Sequence, residues 1–233
     1  MNNLSNCQIY CLSFNNEERK NNMIRRFKKL NLPYKIFEGV RYDDKRLINK
    51  NLSDCLLREW SCCYGHLDMI YNFYYKTDKK YGIFCEDDLH IRRDLIDIMP
   101  KILLDFNILN LDILLLGYLT PFNVNENMIE IGYSLKRKTN IKPIYSYHNY
   151  PEELTGTQMY ILTRNHAKIL LDKYYNNYAD NNKTVFISDI VIIKDGNRAL
   201  ISPVLAVEEK QYYKNNCLHN SCHKAHFKSD KFI

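Results

Sequence analysis

The chain has 233 residues, enough for one large domain with a substantial core and short for two. Hydrophobic residues make up 45% and charged residues 26%, with only 7 Gly and 6 Pro, which excludes a disordered, collagen-like or linker-dominated protein. The excess of 33 Lys and Arg over 27 Asp and Glu, +6, reads as solvated helix faces and a basic tail rather than as a nucleic-acid surface.

"CQIYCLSF" (7–14) is the first strand by its short apolar run. "NNEERKNNMIRRFKKLNL" (15–32) places Met23, Ile24, Phe27 and Leu30 at helical spacing, with Asn at its start and Pro33 after its end. "PYKIFEGV" (33–40) is a second strand, and this β-α-β order predicts an α/β protein with a largely parallel sheet. Residues 53–77 read as a helix with Gly65 in its middle, "YGIFC" (81–85) as a strand, and "RRDLIDIMPKILLDF" (92–106) as a helix with Pro100 as a break point. "LDILLLG" (111–117) is a continuous apolar run, expected of a strand covered on both faces. Residues 118–153 show no period and read as loop with some edge strand, where "YLTPFNVNENM" and "YSYHNYPEEL" could shape an acceptor site. "TGTQMYILT" (155–163) is a strand, "RNHAKILLDKYYNNY" (164–178) an amphipathic helix, and "VFISDIVIIKD" (185–195) a strand or short helix around Asp189. "RALISPVLAV" (198–207) is the last strand, followed by a polar, basic tail over 208–233 containing Cys and His.

Eight cysteines without regular spacing fit a reduced, cytoplasmic protein. The start lacks the layout of a signal peptide, and "ILNLDILLLGYL" is too short to span a bilayer, so no transmembrane segment is expected. The tail "CLHNSCHKAHF" has spacing too loose to predict a zinc site.

The stretch "YGIFCEDDLH" sets Glu86, Asp87 and Asp88 at the end of a buried strand. In α/β sheets, ligands bind beyond the carboxyl ends of strands. Carboxylates there suit Mg²⁺ or Mn²⁺; the alternative is a charged turn before the next helix. Strand alternation would direct Glu86 and Asp88 to one side and Asp87 to the other.

"REWSCCYGHLDMIYNF" followed by "YGIFCEDDL" resembles glycosyltransferase family 25. Glu59, Cys62, His66 and the Glu86-Asp87-Asp88 run match the family pattern, with Gly65 where Ser is usual. The first strand and its Arg-containing helix, "LDILLLG" and "GTQMYILTRNHAKILL" follow in the family's order, with Asn15 and Thr163 as departures. The resemblance implies one GT-A-type nucleotide-sugar-binding domain over 1–207, with a mostly parallel central sheet flanked by helices. It implies an inverting, metal-dependent transfer of galactose or glucose from a UDP-sugar to a hydroxyl of a glycan, lipopolysaccharide or glycoprotein. On that reading Asp88 and Glu86 hold Mn²⁺ or Mg²⁺. A further ligand comes from the tail histidines His219, His223 or His226, with His226 taken as their representative. Glu86, Asp87, His66 and Glu59 lie on the donor side. The general base is Asp189, an isolated acid in an apolar run, with Glu153 and its neighbour Glu152 as rivals. Two other classes compete: a non-catalytic basic module binding nucleic acid or glycan, and a metal-dependent phosphodiesterase. No nucleic-acid partner is expected, because no stacking motif or nucleic-acid fold is recognisable.

Overall fold

The computed structural model describes residues 4–48, 50–120, 124, 128–133, 145–182, 185–212 and 217–233; the side chains of Tyr133, Tyr212 and Cys217 lie outside it. Much of the predicted acceptor loop therefore lies outside the described residues. In chain order the elements are β1 (Cys7–Ser13), α1 (Glu17–Lys29), β2 (Tyr34–Glu38), α2 (Asp54–Lys76), β3 (Tyr81–Glu86) and β4 (Leu89–Ile91). Next come α3 (Leu95–Ile108), β5 (Ile113–Leu119), β6 (Glu130–Tyr133), β7 (Ser146–His148) and β8 (Thr155–Thr163). The chain closes with α4 (Arg164–Tyr174), α5 (Tyr178–Asn181), α6 (Ser188–Val191), β9 (Arg198–Ser202), β10 (Ala206–Glu208), a 3-10 turn (Lys210–Tyr212) and α7 (Cys217–His226).

The sheet corrects the expectation of mostly parallel strands. Its order is β2-β1-β3-β8-β5-β9-β7-β6. β1 runs parallel to both β2 and β3, and β5 to β9; the β3–β8, β8–β5, β9–β7 and β7–β6 junctions are antiparallel. Apolar periodicity identifies a strand but not its direction. β8 enters between β3 and β5 from their carboxyl ends, so it can only run against both.

Alternation along the central strands gives the sheet two apolar faces. Tyr10, Phe84, Leu115, Tyr160 and Leu162 face one core with Trp60, Leu67 and Ile70 of α2 and Leu170 of α4. Ile9, Cys11, Ile83, Leu114 and Ile161 face the other, with Phe27 of α1 and Phe106 of α3. Gly65 is explained by close approach: a Cβ there would lie 2.8 Å from Leu12 of β1. Trp60 is fully buried and meets Phe186 edge-on at 5.4 Å. Truncating such a ring costs about 3–5 kcal/mol.

The strand expected over 198–207 is two. Pro203 has no amide hydrogen for a ladder, and the chain leaves the large sheet there. β10 pairs instead with β4 in a separate antiparallel ribbon. The tail then returns: Ile233 exchanges two backbone hydrogen bonds with Ile91, and Phe232 is buried. No described helix is long and apolar enough to cross a membrane.

His166, in the first turn of α4, is 1% exposed, and neither ring nitrogen has a hydrogen-bond partner among the described residues. Burial lowers its pKa from the ordinary value near 6.5, against the opposing pull of Asp112 and Asp195. The unfolded chain therefore takes up this proton first as pH falls, and the stability held above about pH 6.5 is lost below it. His166→Leu is expected to reduce the drop in melting temperature between about pH 7.5 and about pH 5.5, measured by circular dichroism.

Candidate active site

β1 and β3 are parallel neighbours, with Leu12 opposite Glu86. The residues that follow each strand are thereby brought to one edge. Ser13 Oγ donates to Asp87 Oδ2 at 2.6 Å. The chain turns at Asn15, which has positive φ, and Asn16 caps α1 by accepting from the Arg19 amide at 3.0 Å. This puts Arg19 in the first turn, beside the acids. Its Nε lies 2.7 Å from Asp87 Oδ1 and its Nη2 lies 2.6 Å from Asp88 Oδ2. Alternation does not separate the two aspartates, because β3 ends at Glu86 and one guanidinium holds both.

Asp87 has both oxygens engaged. Asp88 has one: its Oδ1 is buried without a hydrogen-bond partner among the described residues. Burial raises the pKa of both aspartates. For Asp88 the charge of Glu86 adds to this, while Arg19 opposes it. A carboxylate oxygen taken out of water and left unpaired is costly, and either a proton or a bound cation relieves it.

Glu86 faces α2. The spacing of Glu59, Cys62 and His66, three and then four residues, sets them on one side of that helix. His66 Nε2 lies 3.6 Å from Glu86 Oε1, and its Nδ1 lies 2.9 Å from the Tyr160 hydroxyl. Burial would raise the Glu86 pKa, but His66, Arg19 and Thr157 outweigh it and the carboxyl sits below its ordinary value. Thr157 of β8 links Glu86 to α6: its Oγ1 is 3.3 Å from Glu86 Oε1, 3.3 Å from Asp189 Oδ1 and 3.1 Å from Ser188 Oγ. One Thr157 hydroxyl proton cannot serve both carboxylates. Burial and the charge of Glu86 push the Asp189 pKa up, against the Gly156 amide and Thr157. Gly156 is required here: its φ is +113°, and a Cβ would lie 2.8 Å from the Leu119 amide nitrogen.

The tail supplies the third side. Glu208 of β10 accepts from Gln158 Nε2 at 2.8 Å and is hydrogen-bonded to His219 Nδ1. The Glu209 amide donates to the Asp88 carbonyl at 2.7 Å, and its carboxylate pairs with Arg26 at 2.6 Å. His223 Nδ1 donates to the Glu208 carbonyl at 3.1 Å. His226 Nε2 donates to the Thr120 carbonyl at 2.8 Å, so that nitrogen carries its proton and is not a ligand in this arrangement.

The structure therefore brings together Glu86, Asp87, Asp88, His66 and Asp189 from the sequence reading. Glu59 shares the helix face of His66, is half-buried, and accepts from the Cys55 thiol at 3.4 Å. Glu153 stands apart, exposed in the turn before β8, where its charge acts on Lys194. Glu152 pairs with Arg198. Sequence reasoning passed over Ser13, Arg19, Thr157 and Glu208. Only Arg19 carried a signal, as a cation in the first helical turn, where acids are the favoured residues.

Two donor sets could hold a metal. Cys62, His66 and Glu86 offer ligand atoms within 4.8 Å of one another. Burial pushes the Cys62 thiol pKa up, however, and a protonated thiol is a poor ligand. Asp88 with Glu86 offers hard oxygens, one of them unpartnered, and fits Mg²⁺ or Mn²⁺ better.

The family model described as "Glycosyltransferase family 25 (LPS biosynthesis protein)" matches residues 6–185. The chain belongs to glycosyltransferase family 25. It is a glycosyltransferase, and the matched span contains the whole Glu59-to-Asp189 constellation except Asp189 and Ser188 themselves and the tail. Among solved structures, A197 from STIV is 14% identical to this transferase, covering 87% of this chain and 85% of that one, with a TM-score of 0.46. A glycosyltransferase involved in the glycosylation of the major capsid of PBCV-1 is 8% identical, covering 94% and 98%, with a TM-score of 0.44. No curated protein matches this chain.

Arg19 is 25% exposed at the side chain, against 5% for Asp87 and 13% for Asp88. Arg19→Gln should cost roughly 3 kcal/mol in urea denaturation, at the low end for breaking a buried pair because the guanidinium is partly solvated. Adding Asp88→Asn to that variant should recover part of the loss, since it removes one of the stranded charges.

Proposed function

We propose that this transferase moves a hexose, galactose or glucose, from a UDP-sugar to a hydroxyl of a glycan, lipopolysaccharide or glycoprotein, with inversion and with a divalent cation. The observation that carries the reading is the unpartnered, buried Oδ1 of Asp88 among Glu86, Asp87 and Glu208. The GT-A-type arrangement is supported by the acid motif at the end of a strand parallel to β1, followed directly by the short ribbon β4–β10. Asp88 and Glu86 would hold Mn²⁺ or Mg²⁺, which when bound neutralises charge on a departing diphosphate. Of the tail histidines, His219 rather than His226 is the candidate third donor, being the one bonded to an acid of the cluster.

The chain's own residues do the remaining work. Ser13 and Arg19 fix the rotamers of Asp87 and Asp88, so the motif is organised before donor arrives. Tyr160 holds the His66 ring against Glu86. Asp189 takes the proton of the attacking acceptor hydroxyl at a carboxylate oxygen. Its raised pKa favours that transfer, and Thr157 with the Gly156 amide keeps the carboxylate oriented. We assign the base to Asp189 over Glu153, because Glu153 is solvated and away from the acids.

The test is UDP release from a panel of UDP-sugars, with an acceptor, with and without Mn²⁺. Activity should need the ion, and Asp88→Asn should lower kcat/KM by about 100-fold or more. Asp189→Asn should lower kcat by about 100-fold or more with little change in KM for the donor. Metal-independent release, or full activity in Asp88→Asn, would overturn the metal assignment.

A further inference from the structure

Helix α2 also lines a cleft on the face turned away from the acid cluster. The side opposite His66 carries Asp68, Tyr71 and Asn72, and with Tyr175, Asp44, Lys45, Arg46 and Lys50 it walls this open cleft of about 750 Å³. That volume is in the range of small-molecule sites, about 300–1,000 Å³. The carboxylate cluster contributes nothing to its lining.

The lining is built for a particular chemistry. Arg46 holds Asp68 with two hydrogen bonds, at 2.8 and 2.9 Å, and Asp44 through its Nε at 2.9 Å. Tyr175 donates to the same Asp68 at 2.9 Å, and the guanidinium lies 4.7 Å from the Tyr64 ring centre. The wall is therefore a rigid, pre-organised polar network. Above it, Tyr71 is 36% exposed and stacks on Tyr175 at 5.2 Å and 20°, offering an aromatic surface at the cleft. Asn72 Oδ1 is buried with no hydrogen-bond partner among the described residues, an acceptor awaiting a donor.

These features exclude two ligand classes. Among the described residues the cleft has four cationic and three anionic side chains, Arg46 is engaged by two carboxylates and Lys50 pairs with Asp180 at 2.6 Å, so these residues offer a phosphate no concentrated positive charge. Among the described residues an aliphatic chain finds no apolar floor, since Phe37 is the one lining side chain there without a polar group. A sugar fits both properties: its C–H face lies on a tyrosine ring, and its hydroxyls donate to and accept from fixed amides and carboxylates.

We infer that this cleft is an accessory oligosaccharide-binding site, separate from the transfer site by the thickness of α2. It holds a part of a glycan remote from the reacting hydroxyl. The inference rests on the chain being a glycosyltransferase and not on the metal reading of Asp88.

The test is binding of the full chain to an array of immobilised neutral oligosaccharides, without metal or nucleotide. A failed metal reading then shows in UDP release and leaves this measurement untouched. Wild type should be retained on one or more glycans. Tyr71→Ala should bind about tenfold more weakly, while Tyr71→Phe and the distant surface variant Leu104→Ala bind as wild type. Thermal melting checks that Tyr71→Ala is folded. Retention of no glycan by wild type, or equal binding by Tyr71→Ala, overturns the inference.

Discussion

Like charges in a dry place need a reason to stay together. Glu86, Asp87, Asp88, Asp189 and Glu208 come from three separate parts of the chain and converge at the carboxyl end of β3. The guanidinium of Arg19 is the fixed countercharge, spanning two of them. Much of the local architecture serves that clamp. The turn at Asn15 and the Asn16 cap start α1 where its first turn reaches the acids. Ser13 at the end of β1 completes the shell around Asp87.

The clamp is incomplete by one oxygen, and satisfied and unsatisfied groups differ across the cluster. Asp87 has both oxygens engaged, by Ser13 and Arg19. His66, Arg19 and Thr157 hold the Glu86 pKa below its ordinary value in spite of its partial burial. Asp189 shares one threonine proton with Glu86 and is driven toward protonation. Two carboxylates whose environments push their pKa values in opposite directions are suited to different tasks, one staying anionic and the other exchanging a proton. α2 connects this centre to the tyrosine-lined cleft on its other side. Its wall residue Tyr64 packs on Phe186, two residues before the segment that carries Asp189.

What local pattern could show was read from the chain. The apolar runs of β1, β3, β5 and β8 and the helical spacing of α1, α2 and α4 coincide with the observed elements to within a few residues. The three acids were visible as charge at the end of an apolar run. Glu59, Cys62 and His66 were visible as one side of a helix. Two misreadings have a common cause. Strand direction in the sheet, and the break of 198–207 into β9 and β10, depend on which neighbour a strand meets, and a strand's own residues do not record that.

By itself, then, the sequence determined the main strands and helices (β1, β3, β5, β8, α1, α2 and α4), the α/β class, the acid motif and the family, because these are written in short-range spacing and residue type. Only the tertiary structure decided that β8 runs against β3 and β5, that Arg19 rather than solvent meets Asp87 and Asp88, and that Thr157, Asp189 and Glu208 share their surroundings with Glu86. Among those contacts, Thr157 lies 32 positions from Asp189 and 71 from Glu86. Partners at such separations are selected by packing and by the cost of leaving a buried charge unpaired, and neither leaves a period in the sequence.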